Sequence, residues 1–321
     1  MLSSLILILP VFLVIAFGIL LDIFRVIPKE TGSIIGSYVL YVALPVLLIH
    51  ILSSATSDEI LHGGFWLGIL SAQVIVYIFG YLGEFLFGTK KHGPAAVIGL
   101  TTSCSNMAFL GLPVVASLMP GNHEALVAAG LAAITPNVVS IPCLVQLEYL
   151  KTADGDPKKT ISRLLKSILF NPFIISTFVG LFLGLSEIGL WEPVDKAASM
   201  VGNTTAPCML LALGLDLRAK VRLAVTGDTF NFIRFGTSLL MKLVIHPLLA
   251  WGLLSLMGVH GTWLAVGVIM SGTATALMTT VIADIYRCLA ADVATITVAS
   301  NILNLATLTL LTAILHAQGL L

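Results

Sequence analysis

Residues 101–113 read Thr-Thr-Ser-Cys-Ser-Asn-Met-Ala-Phe-Leu-Gly-Leu-Pro, and this polar, breakable stretch lies in the middle of a long apolar run. Proline has no backbone N–H and clashes with the carbonyl four residues earlier, which disfavours a continuous helix at Pro113. Gly111 adds flexibility two residues before it. The stretch therefore predicts a membrane helix that is unwound between Asn106 and Pro113.

The composition of the chain places this stretch in a membrane protein. The chain has 321 residues, of which 58% are hydrophobic and 10% are charged, and its mean hydropathy is +1.05. A bilayer core about 30 Å thick requires about 20 apolar residues per helical span. Continuously apolar runs, rather than alternating ones, predict an all-α polytopic fold. We predict ten transmembrane helices, at Leu2–Leu21, Ser33–Leu52, Gly63–Phe87, Pro94–Leu118, Ala125–Leu147, Ile168–Leu185, Val194–Leu215, Phe232–Met257, Thr262–Ala283 and Val293–Leu315.

The distribution of basic residues agrees with ten spans. The 16 Lys and Arg residues balance 16 Asp and Glu residues, so the net charge indicates no nucleic-acid partner. Fourteen of the basic residues fall in the loops after the first, third, fifth, seventh and ninth spans. The positive-inside rule makes these loops cytoplasmic. We therefore expect a multi-pass protein of the cell inner (plasma) membrane with both termini outside the cytoplasm.

The two halves of the chain show an internal repeat. Five spans per half, an odd number, place the halves in opposite orientations, so the repeat is inverted. An offset of 162 residues pairs Pro10 with Pro172, Gly18 with Gly180 and Pro45 with Pro207, and a slightly larger offset pairs Ser103–Asn106 with Ser271–Ala274 and Asn137 with Asn304. We assign residues 1–150 to a first five-helix repeat, 151–167 to a cytoplasmic linker and 168–321 to a second five-helix repeat. Chance coincidence among Pro- and Gly-rich helices is the alternative.

The repeat predicts that the ninth span is broken like the fourth. Its centre carries hydroxyl residues and glycine in place of the usual leucines, including Gly272, Thr273 and Thr275. If the two broken helices cross at one depth, their half-helix N-termini, with partial positive charge, and the nearby hydroxyls form an anion site. The alternative is that these small residues only permit close helix packing.

Lys242 is the one basic residue predicted deep in the bilayer, where a charge is costly. One interpretation is a fixed cation beside the crossing helices, which counters their carbonyl ends or titrates during transport. The other is a lysine whose side chain snorkels to the cytoplasmic rim. His246, one turn later, is either a partner of this cation or a hydrogen-bonded core residue. No Asp or Glu lies in the middle of a span, which favours an anionic or neutral substrate over a cation.

The candidate substrate-binding residues are the polar and helix-breaking residues of these spans. Asn137 and Asn304 are amides that either hold the substrate or lock the core. The complete set is Ser105, Asn106, Gly111, Pro113, Asn137, Lys242, Gly272, Thr273, Thr275 and Asn304. We predict no catalytic residue, cofactor or metal site, because the four cysteines lack metal-ligand spacing and no His-Glu-x-x-His or Gly-x-Ser-x-Gly motif occurs.

Two stretches carry a family resemblance. Asn106-Met-Ala-Phe-Leu-Gly-Leu-Pro113 and Tyr41-Val-Ala-Leu-Pro45 resemble the auxin efflux carrier family, in particular its bacterial members identified as malonate or malate permeases. The resemblance implies a fold similar to that of sodium/proton antiporters and sodium/bile-acid symporters, with crossed, broken fourth and ninth spans. It also implies a scaffold domain from spans 1, 2, 6 and 7, a transport domain from spans 3–5 and 8–10, an elevator-like movement and a homodimer.

The chain departs from the family pattern in two places. Members with a symmetric crossing carry a proline in both broken helices, whereas the ninth span here has none. Gly272 is therefore expected to break that helix. The long cytoplasmic loop of the plant auxin exporters is also missing, so auxin itself is not implied as the substrate.

These features predict a secondary active transporter and not an enzyme. We expect a small carboxylate as substrate, a proton or sodium as coupling ion, and membrane lipid around the protein. The first alternative is a sodium-coupled symporter of the bile-acid type, although sodium generally needs several oxygen ligands and the spans supply no acid. A membrane-embedded enzyme is a further alternative, which the absence of a catalytic motif disfavours.

Overall fold

A computed structural model describes residues 2–151, 171–225 and 231–321, without the side chains of residues 2–8 and 217–225. Nearly all of the predicted linker, residues 151–167, lies outside the described residues. The first part of the chain forms helices α1 Leu2–Ile23, α2 Thr31–Ser53, α3 Ser57–Ile60, α4 Gly63–Phe87, α5 His92–Ser103, α6 Met107–Leu118, α7 His123–Ala132 and α8 Thr135–Lys151. The second part forms α9 Pro172–Leu185, α10 Glu192–Gly202, α11 Thr205–Val225, α12 Phe232–Leu256, α13 Gly261–Ser271, α14 Met278–Ile285 and α15 Ala290–Ala317.

Several of these helical stretches are long and apolar enough to cross a bilayer. Six qualify by length and hydropathy, at Thr31–Ser53, Ser57–Phe87, His123–Lys151, Glu192–Asp216, Phe232–Leu256 and Ala290–Ala317. Four shorter apolar helices accompany them, at Leu9–Ile23, Met107–Leu118, Pro172–Leu185 and Gly261–Ser271. The predicted all-α, multi-pass membrane fold is confirmed, while the count of ten spans and the inverted repeat stay predictions.

Three prolines are accommodated in the same way, by a wide π-turn immediately before them. In each turn the residue before the proline donates its N–H to the carbonyl five residues back. A proline ring clashes with the carbonyl four residues back, and the wider turn moves that carbonyl aside. The three π-turns and the prolines that follow them are Val39–Ala43 with Pro45, Met107–Gly111 with Pro113, and Met241–Ile245 with Pro247.

The break in the predicted fourth span lies earlier than expected. Helix α5 ends at Ser103 and α6 begins at Met107, so residues 104–106 are the non-helical ones. The prediction of an unwound segment between Asn106 and Pro113 is wrong, because the π-turn absorbs the proline without ending the helix. Gly111 has a helical φ of −64°, and its role is close approach instead of flexibility: a Cβ atom there would lie 2.5 Å from the Met270 sulfur.

The break in the predicted ninth span begins where expected. Helix α13 ends at Ser271, Gly272 is its C-cap, and α14 begins only at Met278. A Cβ atom at Gly272 would lie 2.5 Å from a methyl carbon of Leu311. Glycine at this position therefore lets the broken segment lie directly against α15.

The helices pack in two groups. In one, α1 packs against α11, and α2 packs against α9, α10 and α11. In the other, α4 packs against α5 and α12, and α13 packs against α7 and α12. Helix α15 contacts both groups through α11 and α12. The two breaks lie in the second group, between α5 and α6 and between α13 and α14.

Candidate functional site

The two broken segments cross and pair through their backbones. The N–H of Asn106 donates to the carbonyl of Ala274 at 2.8 Å, and the N–H of Ala276 donates to the carbonyl of Cys104 at 3.0 Å. This is a single antiparallel bridge centred on Ser105 and Thr275. Because the bridge is antiparallel, the pairs 104/276, 105/275 and 106/274 are 172, 170 and 168 residues apart, and the last separation equals the offset by which the sequence pairs Asn106 with Ala274.

The crossing is closed to solvent. Ser105 is 1% exposed and Asn106 is 2% exposed, and Thr273 and Thr275 are fully buried. Backbone polar groups at this depth need partners inside the protein, because lipid offers none. The mutual bridge and the side chains described below supply them.

Asn304 closes the break on the side of α15. Its amide nitrogen donates to the carbonyl of Gly272 at 2.8 Å, and its amide oxygen accepts from the N–H of Ala274 at 3.2 Å. One turn earlier, the Ser300 hydroxyl accepts from the N–H of Thr275 at 3.1 Å. The Thr275 hydroxyl then donates to the carbonyl of Thr101 at 3.1 Å, which joins the second break to the end of α5. Of the two roles open to Asn304, this geometry supports locking the break.

Lys242 lies on the other side of the crossing and is fully buried. Its ammonium nitrogen Nζ donates to the Ser105 hydroxyl and to the carbonyl of Ser271, the latter at 3.1 Å. It also lies 3.0 Å from Nδ1 of His246. The side chain therefore joins both broken helices from the π-turn of α12, and it does not snorkel to the rim.

Asn106 supplies an unused hydrogen-bond donor at the start of α6. Its side-chain nitrogen Nδ2 is buried and has no hydrogen-bond partner among the described residues. Asn106 is also the N-cap of the turn that begins α6. The first N–H groups of a helix have no intrahelical partner and carry partial positive charge. Buried unpaired donors next to a positive helix end suit an anionic ligand.

The remaining predicted site residues are placed less centrally. The Thr273 hydroxyl donates to the carbonyl of Met270 at 2.8 Å, and a Cβ atom at Gly111 would lie 3.4 Å from the Thr273 methyl carbon. Pro113 is buried within α6. Asn137, near the start of α8, is half-buried, and the structure records no side-chain hydrogen bond from it within the described ranges. Asn137 thus keeps a free amide, whereas the amide of Asn304 is fully used.

A buried ion-pair network was not predicted. The Arg234 guanidinium makes two bonds to Glu84, at 2.8 and 2.9 Å, and one to Asp292 at 3.1 Å. These residues come from α12, α4 and α15, so the network ties three helices together at one end. Glu84 lies three residues before the end of an apolar run. A carboxylate at that position is a sequence signal that could have predicted a buried ion pair.

A cavity of about 420 Å³ lies between α4, α5 and α12 beside this network. Its polar lining includes Glu84, Arg234, Thr102 and Ser238. Met241, the residue before Lys242, lines it as well. The cavity therefore lies between the ion-pair network and the π-turn of α12.

Comparison with known proteins places the chain among membrane transport proteins. Residues 3–312 match the family described as "Membrane transport protein". A protein of Rhizobium meliloti named "Putative malonate transporter" is 24% identical over 325 aligned residues, which cover 98% of this chain and 96% of the relative. An uncharacterised transporter of Methanocaldococcus jannaschii is 23% identical over 296 aligned residues, which cover 87% of this chain and 88% of the relative.

Proposed function

Because the chain belongs to the membrane transport protein family, the auxin efflux carriers, we propose that it is a secondary transporter for a small organic anion such as malonate or malate. Family membership confirms a transporter and not an enzyme. The choice of a dicarboxylate draws on the name of the Rhizobium relative and on the chemistry of the crossing.

The observation that carries the proposal is the unused donor of Asn106 at the crossing. Its buried Nδ2 and the free N–H groups of the first α6 turn offer hydrogen bonds to a carboxylate. A carboxylate oxygen accepts such bonds readily, and a charge-assisted bond is about twice as strong as a neutral one. Asn137, half-buried with a free amide, is the proposed second contact. Ser105, Thr273, Thr275, Gly111, Pro113, Gly272 and Asn304 shape and hold the crossing around it.

The packing supports two inverted repeats of five helices each, ten spans in total. Gly18 of α1 lies against α11, and Gly180 of α9 lies against α2. In each case the glycine meets backbone of the partner helix: a Cβ atom at Gly18 would lie 2.6 Å from Leu211 O, and one at Gly180 would lie 3.1 Å from Leu48 O. Gly18 and Gly180 are the pair that the 162-residue offset aligns, so the two repeats would exchange equivalent contacts. The antiparallel bridge between the two breaks fits the same two-fold relation, because each segment donates one backbone hydrogen bond to the other.

The two packing groups correspond to a scaffold domain and a transport domain. The group of α1, α2, α9, α10 and α11 contains predicted spans 1, 2, 6 and 7, and the other group contains the crossing. An elevator-like movement would slide the second group along the first. The proposed setting is the cell inner membrane, with both termini outside the cytoplasm, and a homodimer formed by the scaffold.

One contact between the two groups offers a direct test of this movement. The Ser54 hydroxyl, at the end of α2, lies 3.0 Å from Nε2 of His123, at the start of α7. In a cysteine-free background, we expect Ser54→Cys with His123→Cys, joined by a short bifunctional thiol reagent, to stop transport, and reductive cleavage to restore it. Each single cysteine variant treated alike is the control. Full transport with the cross-link in place would contradict the elevator movement.

Binding is tested by thermal stabilisation of the purified protein. A ligand that binds only the folded state raises the unfolding temperature. We expect one small mono- or dicarboxylate from a panel to stabilise the protein, and Asn106→Ala to lose this shift. Asn203→Ala, on an exposed residue of the α10 C-cap, should keep it. Stabilisation by neutral or cationic compounds but by no acid would overturn the anion assignment.

A further inference from the structure

We propose that Lys242 takes up a proton when the organic anion binds at the crossing, so that anion and proton cross the membrane together. This inference rests on the proposed function and names its coupling ion.

A protonated Lys242 has three neutral acceptors and, in the part of the chain that the structure describes, no counter-ion bonded to it. Its acceptors are the Ser105 hydroxyl, the carbonyl of Ser271 and Nδ1 of His246. Among the described residues, no carboxylate is hydrogen-bonded to it. Three acceptors match the three N–H bonds of an ammonium, so hydrogen bonding is satisfied while the charge is not. A buried charge without a counter-ion is costly, and hydrogen bonds from neutral groups offset only part of that cost.

The other titratable groups near this turn do not remove the imbalance. The elements packed against the π-turn of α12 are α4, α5 and α15. The titratable residues on these elements, on α12 itself and in the first break are Tyr77, Tyr81, Glu84, His92, Cys104, Arg234, His246, Asp292 and His316. Glu84 and Asp292 are bonded to Arg234, eight residues and about 12 Å of helix before Lys242. This network carries one negative charge in excess, but its carboxylates are bonded to Arg234 and lie too far along the helix to form an ion pair with Lys242.

An anion at the crossing would supply the missing counter-charge. Ser105 bonds Lys242 directly, and Asn106, with its unused donor, is the next residue. Opposite charges attract strongly in a site without water. The protonated form of Lys242 is therefore favoured when the anion is bound, and thermodynamic linkage makes proton uptake and anion binding reinforce each other.

The cavity beside α4 and α12 contacts the π-turn that carries Lys242. It is lined by Thr102 and Ser238 and reaches Met241, next to Lys242 in the chain. The proton adds to the free amine of Lys242 from solvent on the side where the anion enters. It leaves to solvent on the other side after the anion has departed. No bond to the substrate forms or breaks, and each cycle moves one proton with one anion.

Calorimetry of anion binding to the full-length protein tests this step. Malonate is titrated in two buffers of different ionisation enthalpy, at several values between about pH 6 and 9, and the difference in heat gives the protons taken up per anion. We expect net uptake within this range for the wild type. The affinity should fall with rising pH wherever protons are taken up, by up to about tenfold per pH unit at the pH of maximal uptake.

Lys242→Arg is the informative variant, because arginine stays charged. It should bind malonate with near-zero proton uptake and a flat pH dependence. Lys196→Arg, on an exposed lysine paired with Glu192, should behave like the wild type. If Lys242→Arg does not fold, Lys242→Gln replaces it, with the expectation of weak binding and no uptake.

The outcomes separate this inference from the proposed function. Malonate binding without proton uptake by the wild type at any pH would overturn the role of Lys242 and leave the carrier intact. Uptake that persists in Lys242→Arg would equally overturn it, as would binding that depends on sodium and not on pH. Absence of binding by every carboxylate would instead refute the proposed function itself.

Discussion

Replacing Asn304 by leucine should destabilise the fold through two orphaned backbone groups. The Asn304 amide satisfies the carbonyl of Gly272 and the N–H of Ala274, and all three residues are buried. Leaving a buried group unsatisfied costs about 1–3 kcal/mol. Hydrogen bonds between membrane helices are often worth less, about 0.6 kcal/mol, since the unfolded state in the membrane finds other partners. In the unfolded state a rewound helix would satisfy both backbone groups, so their full cost falls on the native state of the variant. For two groups we expect a loss of about 2–6 kcal/mol.

The assay is reversible unfolding of the purified protein in mixed micelles with a rising fraction of denaturing detergent. Asn304→Leu should shift the midpoint strongly. Asn203→Leu, where an exposed amide donates to Ser199 at 3.3 Å, should change stability by less than about 0.5 kcal/mol. Equal stability of the two variants would show that Asn304 does not hold the break and would refute this reasoning.

Two further changes test the packing and the ion-pair network. Gly18→Ala should lower the thermal stability and folded yield, because its Cβ would lie 2.6 Å from a backbone oxygen of α11. The control is Gly36→Ala, whose Cβ would enter open space and should leave both unchanged. Equal yields of the two variants would contradict the close contact. Glu84→Gln should cost about 1–3 kcal/mol in detergent unfolding, since the bonds from Arg234 to residue 84 lose their charge while Asp292 still pairs with Arg234. Adding Arg234→Met should deepen that loss, because Asp292 then loses its partner too, and a double variant more stable than the single one would argue against this account.

Much of the fold follows from the periodicity and composition of the sequence. Apolar runs between charged loops predicted a multi-pass all-α protein, and Gly63–Phe87 matches α4 to the residue. The break at Gly272 was also predicted correctly, because a glycine among hydroxyl residues is a weak point in a membrane helix. Local propensity is enough for such features.

The details of the crossing depend on packing between distant segments and could not be read locally. Pro113 suggested an unwound segment, but the π-turn before it keeps α6 helical. The bridge between Ser105 and Thr275 is set by contacts between segments 170 positions apart, which no local propensity specifies. The contact of Lys242 with both breaks likewise depends on the π-turn that holds it.

Solute counterflow in proteoliposomes tests the central claim most directly. Vesicles preloaded with unlabelled malonate should take up labelled malonate, and other small carboxylates should compete with it. Asn106→Ala should reduce this uptake by roughly 10–100-fold, the value of one hydrogen bond to a charged group, while Asn203→Ala keeps it. Absence of counterflow for every carboxylate tested, or undiminished flux through Asn106→Ala, would contradict an anion site at the crossing.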